Sequence, residues 1–172
     1  GTLFGRGAEI GAIHLIRNKP VNYLSGELSV GYGSYNQQLA SGYLNTPIIK
    51  DKLANRFAFS YDRRDGFIKN MSGGRLNGKN ALAFRNSTRL WANDKTIYDL
   101  VLDYQHDNYP GTSFKSDKSA YYSDPDPNAP ANLEQGKNLY IKRHVGGVAF
   151  LADHHFNDEW KLSSITGFRA FK

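Results

Sequence analysis

The chain has 172 residues, a formal net charge of +6, and 40% hydrophobic against 22% charged residues, which is enough for one domain with a sizeable core. It contains no cysteine, so disulfides, thiolate metal sites and thiol nucleophiles are excluded. No apolar run approaches the roughly 18 residues of a membrane-spanning helix; a membrane barrel stays open, because barrel strands bury only every second residue in lipid.

Apolar character is carried largely by rings, 11 Tyr and 10 Phe, scattered in alternation, and this favours sheet over helix. Lys and Arg are spread along the whole length with acids between them. Neither a basic helix nor zinc-finger spacing occurs, so the positive charge does not point to nucleic acid.

In chain order, the opening stretch 1–20 reads GTLFGRGAEIGAIHLIRNKP. Its Gly5, Gly7 and Gly11 let the backbone take φ > 0 or approach a neighbour closely, and 12–16 then reads as a short strand that ends before Pro20. From residue 22 the pattern repeats strand, short turn, returning strand and longer polar loop. The first pair spans 22–34 and 36–47, with Leu28, Val30 and Tyr32 alternating against Ser29, Gly31 and Gly33. A turn at 48–52 leads to 53–63, where Phe57, Phe59 and Tyr61 alternate with Ala58, Ser60 and Asp62.

Residues 64–78 read as a loop rich in Gly, Asn and charge, 79–91 as a strand, and 92–95 as a tight turn. Across 96–107, Tyr98, Leu100, Leu102 and Tyr104 alternate against Asp99, Val101, Asp103 and Gln105. An aromatic residue at each end of an aliphatic pair matches a lipid-facing strand with girdle residues, and a soluble sandwich strand shows the same alternation. Residues 108–136 form the longest irregular segment, and a last hairpin pairs 142–154 with 160–171. There Trp160, Leu162 and Phe168 fall on one side, but Ile165 and Phe171 fall on the other.

Chemical motifs are incomplete. The run 73–79, GGRLNGK, nearly spells a phosphate-binding loop, but Asn80 stands where Ser or Thr should hold magnesium, and a strand rather than a helix follows. Asp153, His154, His155, Asp158 and Glu159 are suitable metal-ligand types, yet adjacent histidines on a strand point to opposite faces. Asp99 and Asp103 share a face at roughly 13 Å, beyond the usual spacing for glycoside chemistry. No nucleophile motif of the Gly-x-Ser-x-Gly type occurs, so no catalytic set is expected.

The opening phrase resembles the end of the plug domain of TonB-dependent outer-membrane receptors. The matching residues are Gly1-Thr2-Leu3-Phe4-Gly5-Arg6, Ala8, Gly11-Ala12-Ile13 and Lys19-Pro20. The junction motif is thus carried by Gly5, Arg6, Gly11, Ile13, Lys19 and Pro20. The chain departs from the pattern at Glu9, where an apolar residue is usual, at Ile10, which replaces the first glycine of a pair, and at His14, where Asn is usual.

The resemblance implies an all-β fold: an antiparallel up-and-down meander forming part of a large transmembrane β-barrel of about 22 strands, preceded by the last strand of a plug. Residues 1–20 would be the end of the plug and 21–172 the first strands of the barrel, about seven in number. Seven strands do not close such a barrel, and the chain begins at Gly1 without Met or a signal peptide, so an excised piece is expected. An intact receptor of this family sits in the outer membrane of a Gram-negative bacterium and takes up a scarce nutrient, commonly a ferric siderophore.

The partners implied are outer-membrane lipid, a small-molecule nutrient such as a metal chelate, and TonB, which pulls on an N-terminal box absent from this sequence. No cofactor, resident metal, nucleic acid or enzymatic activity is implied. Aromatic stripes would meet lipid, while Ser60, Asp62, Arg85, Arg89, Asp99 and Asp103 would face the lumen. Ligand contact is expected from Tyr109, Tyr121, Tyr122 and Asp124 of an extracellular loop, since loops carry recognition and Tyr offers rigid amphipathic area. Two alternatives share the alternation: a soluble all-β ligand- or carbohydrate-binding module, and a small closed outer-membrane barrel of about eight strands with 12–17 as the eighth.

Overall fold

The computed structural model describes residues 17–112, 130–131 and 138–172. Nine strands occur in them: β1 (Ser25–Gly33), β2 (Gln37–Ile49), β3 (Leu53–Arg64), β4 (Ile68–Lys69), β5 (Arg75–Leu76), β6 (Lys79–Asn93), β7 (Thr96–Pro110), β8 (Tyr140–His155) and β9 (Lys161–Phe171). Seven form one sheet in the order β1-β2-β3-β6-β7-β8-β9, every neighbouring pair antiparallel, while β4 and β5 make a separate small hairpin. This is an all-β, up-and-down meander. Among the described residues there is no α-helix, and hence none long and apolar enough to cross a membrane.

The register follows from period-two patterning, because residues directly opposite each other in an antiparallel pair put their side chains on the same face. One continuous row runs Val30, Ala40, Tyr61, Leu82, His106 and His144. The face it belongs to carries Leu28, Leu44, Phe57, Phe59, Phe84, Leu100, Leu102, Val148, Phe150, Leu162 and Phe168. Ring pairs bridge neighbouring strands across it: Phe57 and Phe84 stack at 6.0 Å, and Tyr98 and Phe150 at 5.8 Å. Its register also decides the last hairpin: Phe168 opposite Val148 and Leu162 opposite His154 join this apolar face, whereas Ile165 and Phe171 lie on the other.

No second layer covers the apolar face among the described residues. Leu28 is 69% exposed, Leu102 47% and Phe168 70%. The fully covered apolar side chains are few: Ala54 in the sheet, and Ile68 and Leu76, which face each other across the β4–β5 hairpin. Soluble monomers rarely leave a contiguous apolar surface of this extent bare.

The sheet has a turn end and a loop end. At the turn end lie the connections 50–52, 94–95 and 156–160; at the loop end lie 34–36, 65–78 and the points where the chain leaves β7 and re-enters β8. The asymmetry expected between the two ends therefore fails at one place, since β1 and β2 are joined at the loop end by a tight turn. Within that three-residue connection Tyr35 and Asn36 both take left-handed φ, 59° and 54°, which closes the hairpin tightly.

Three expectations need correction. The segment 64–78 is not simple loop but contains β4 and β5, whose hairpin turns at Gly73 and Gly74 with φ of 111° and 83°. Tyr109, expected in a loop, is the penultimate residue of β7 and pairs with Ile141 of β8. Pro110 does not end the strand earlier because it occupies the last position, where a missing N–H breaks no internal ladder bond. Finally, the first strand starts at Ser25 rather than 22, since Val21 and Asn22 are bonded elsewhere.

Candidate functional site

All acidic residues of the seven-stranded sheet lie on the face opposite the apolar one: Glu27, Asp62, Asp99, Asp103, Asp107 and Asp153. Antiparallel pairing brings basic partners beside them. In the β6–β7 hairpin Arg89 stands opposite Asp99, donating from Nε at 2.6 Å and from Nη2 at 2.7 Å, and Arg85 stands opposite Asp103. The expected lumen set of Ser60, Asp62, Arg85, Arg89, Asp99 and Asp103 does share this one face.

The centre of the polar face is richer in cation than in anion. Asp103 receives Arg169 Nη2 at 3.0 and 3.2 Å and lies 3.8 Å from Arg85 Nη2. Arg85 Nε is buried and unpartnered among the described residues. Arg17 approaches from the entry segment, and together these side chains, with Ser60 and Gln105, line an open cleft of about 280 Å³. A second hollow beside it is lined by Arg17, Asn18, Arg56, Arg85 and Ser87. Arg56 is held over the ring of Tyr43 at 3.6 Å, a cation–π contact that fixes its guanidinium over the sheet. Two arginines beside one carboxylate, with Arg17 lining the same cleft, leave positive charge uncompensated, and such a cleft suits an acidic group.

The entry segment 17–24 is tied to this same face. Lys19 Nζ lies 3.9 Å from Asp99 Oδ2, and Pro20 is buried. Asn45 of β2, with no exposed surface, accepts from Val21 N at 2.9 Å and donates from Nδ2 to the carbonyls of Val21 and Tyr23. Asn22 in turn accepts from Asp51 N at 2.9 Å, holding the turn where Asp51 has φ of 58°. Two asparagine side chains therefore set where the chain enters the sheet.

Toward the loop end, Asp107 is fully buried and takes hydrogen bonds from Gln105 at 2.9 and 3.1 Å and from Arg143 Nε at 2.8 Å. Tyr109 stands next to it on the same face, half-buried rather than presented at a loop tip. Of the other expected ligand residues, Tyr121, Tyr122 and Asp124 lie outside the described residues, as do Gly5, Arg6, Gly11 and Ile13 of the junction motif. Lys19 and Pro20 are the members of that motif placed against the sheet.

Residues that sequence reading passed over are Arg17, Arg56, Arg169, Arg143, Asp107 and Asn45. Counting back from the turn at 94–95 would not have found the hairpin pairs, since Arg85 and Arg89 each lie one residue farther from it than Asp103 and Asp99, and a register shift between Trp91 and Asn93 brings them opposite. At the turn end His154 and His155 do occupy opposite faces, His154 Nδ1 lying 2.9 Å from Thr96 Oγ1, and no cluster of three metal-ligating side chains occurs among the described residues. No protein-family model matches the chain, and no solved structure matches it.

Proposed function

We propose that this sheet is part of the wall of an outer-membrane active transporter, a TonB-dependent receptor that takes up a scarce nutrient such as a ferric siderophore. In this reading the sheet continues at both edges into a barrel of about 22 strands, the apolar face meets lipid, and the polar face lines the plugged lumen. The observation that carries the reading is the division of charge: every strand carboxylate is on one face, and the opposite face is a bare band of rings and aliphatic side chains.

Two further features support it. The segment bearing Lys19 and Pro20 runs onto the polar face at the turn end, as the tail of a plug entering a barrel from its short-turn side would. The surplus guanidiniums around Asp103 offer an acidic plug residue or an anionic chelate a place to bind.

Single cysteines introduced into this cysteine-free chain test the proposal in the full-length protein reconstituted in vesicles, any cysteine outside the chain being replaced by serine. Cysteines at Leu100 and Leu102 should resist a water-soluble maleimide, and a fluorophore placed there should be quenched by brominated lipid. Cysteines at Val101 and Ser60 should behave in the opposite way. Equal, rapid labelling at all four positions without lipid quenching would exclude the membrane reading and favour a water-soluble module.

A further inference from the structure

The apolar face carries no Asp or Glu on any strand, yet its few cations are gathered at one end. Arg63 of β3 stands opposite Asn80, and Lys142 of β8 stands opposite Asn108. One step nearer the sheet centre, His106 stands opposite His144, and His144 exchanges both backbone hydrogen bonds with Lys172, at 2.8 and 2.9 Å. These two adjacent rows lie at the loop end, just beyond the row of Tyr104.

Arg63, Lys142 and Lys172 are exposed, and none is in an ion pair among the described residues. This contrasts with most basic side chains of the polar face, where Lys79, Arg85, Arg89, Arg143, Lys161 and Arg169 each face a carboxylate. Between the lysines the His106 and His144 rings stack at 4.3 Å, and the Tyr104 hydroxyl lies 2.8 Å from His144 Nδ1. From Arg63 to Lys172 the sheet crosses four strand spacings, about 19 Å, and the two rows are about 7 Å apart.

We infer that this row is a binding surface for the phosphate groups of acidic lipids in the leaflet at the loop end. The inference rests on the membrane reading above. Below the row the sheet presents Tyr104, Leu102 and Leu100, which suit acyl chains; at the row it presents ammonium and guanidinium groups without an ion-pair partner among the described residues. A lipid carrying a phosphate monoester satisfies both halves at once, its chains lying on the apolar band and its headgroup on the cations. The turn end of the same face lacks such a row, because Lys50, Lys52 and Lys95 stand there beside Asp51 and Asp94.

The test uses the full-length protein carrying this sheet, reconstituted in phosphatidylcholine with trace spin-labelled phosphatidic acid or spin-labelled phosphatidylcholine. Electron paramagnetic resonance then reads the motionally restricted lipid fraction. Wild type should prefer phosphatidic acid, and K142Q/K172Q should lower that preference by about fivefold for each lysine removed. K50Q/K52Q, with the same change in net charge at the other end, should keep it.

Restricted lipid without selectivity in wild type, or equal loss in both double variants, overturns the inference while leaving the membrane reading intact. Absence of any restricted lipid overturns both. Millimolar inorganic phosphate should leave the preference unchanged; its abolition at that concentration would mean a site for free phosphate and overturn the lipid assignment.

Discussion

Arg89 and Asp99 form a two-pronged pair at 2.6 and 2.7 Å across the β6–β7 hairpin, with only 13% and 10% of their side chains exposed. Lys19 reaches the same carboxylate at 3.9 Å, so one aspartate joins the hairpin to the segment that enters the sheet. Removing one member of a largely covered pair costs more than the pair itself contributes, because a charge is left without its partner. Asp99→Asn is therefore expected to destabilise the protein by roughly 2–3 kcal/mol. The double substitution Arg89→Met with Asp99→Leu should recover most of that loss. Urea unfolding midpoints in detergent, followed by tryptophan fluorescence, provide the measurement; equal losses in the single and double variants would contradict it.

Asn45 makes three hydrogen bonds to the backbone of the entry segment from a fully buried position. Asn45→Ala removes three hydrogen bonds to the backbone of Val21 and Tyr23, a loss of about 1–3 kcal/mol in all. Limited proteolysis should show new cleavage around 17–24 while the strands stay protected. Unchanged cleavage there would mean that the segment is anchored by Lys19 and Pro20 alone.

Two glycines on different strands should respond unequally to a methyl group. A Cβ at Gly42 would lie 2.6 Å from the carbonyl oxygen of Glu27 and 3.1 Å from the Phe59 ring, so strands β1 and β2 would have to separate. At Gly167 the nearest atom would be at 3.5 Å. Gly42→Ala is expected to destabilise by about 1–3 kcal/mol, and Gly167→Ala to change stability by less than about 0.5 kcal/mol. Thermal melts of the two variants decide the point.

Leu102 and Val101 are neighbours in β7 that face opposite ways, toward the apolar and polar surfaces. If the apolar face meets lipid, Leu102→Arg should cost about 2–4 kcal/mol in a bilayer, and Val101→Arg should cost much less. Refolding yields into vesicles, read as the heat-resistant band on a gel, make the comparison. Equal yields would remove the reason for assigning lipid to that face.

The fold was legible in the sequence to the extent that it is local. Alternation at 53–63 and 96–107 marks β3 and β7 because a strand turns successive side chains to opposite sides whatever it pairs with. The turns at 50–52 and 94–95 were equally legible from their short polar composition. The sorting of Asp99 and Asp103 away from Leu100 and Leu102 needed nothing beyond that period.

What only the tertiary structure decided is non-local. Pairing with Ile141 places Tyr109 inside a strand, a fact set by residues more than thirty positions away in the chain. The meeting of Arg85 and Arg169 at Asp103, with Arg17 of the entry segment lining the same cleft, joins residues far apart in the chain, and no single window of sequence contains it. The last hairpin makes the distinction plainest: its composition permits either facing, and the ladder to β8 selects one, because a one-residue slip would turn every side chain of β9 over. Covalent geometry thus determined which residues alternate, and hydrogen-bond register determined which of them meet.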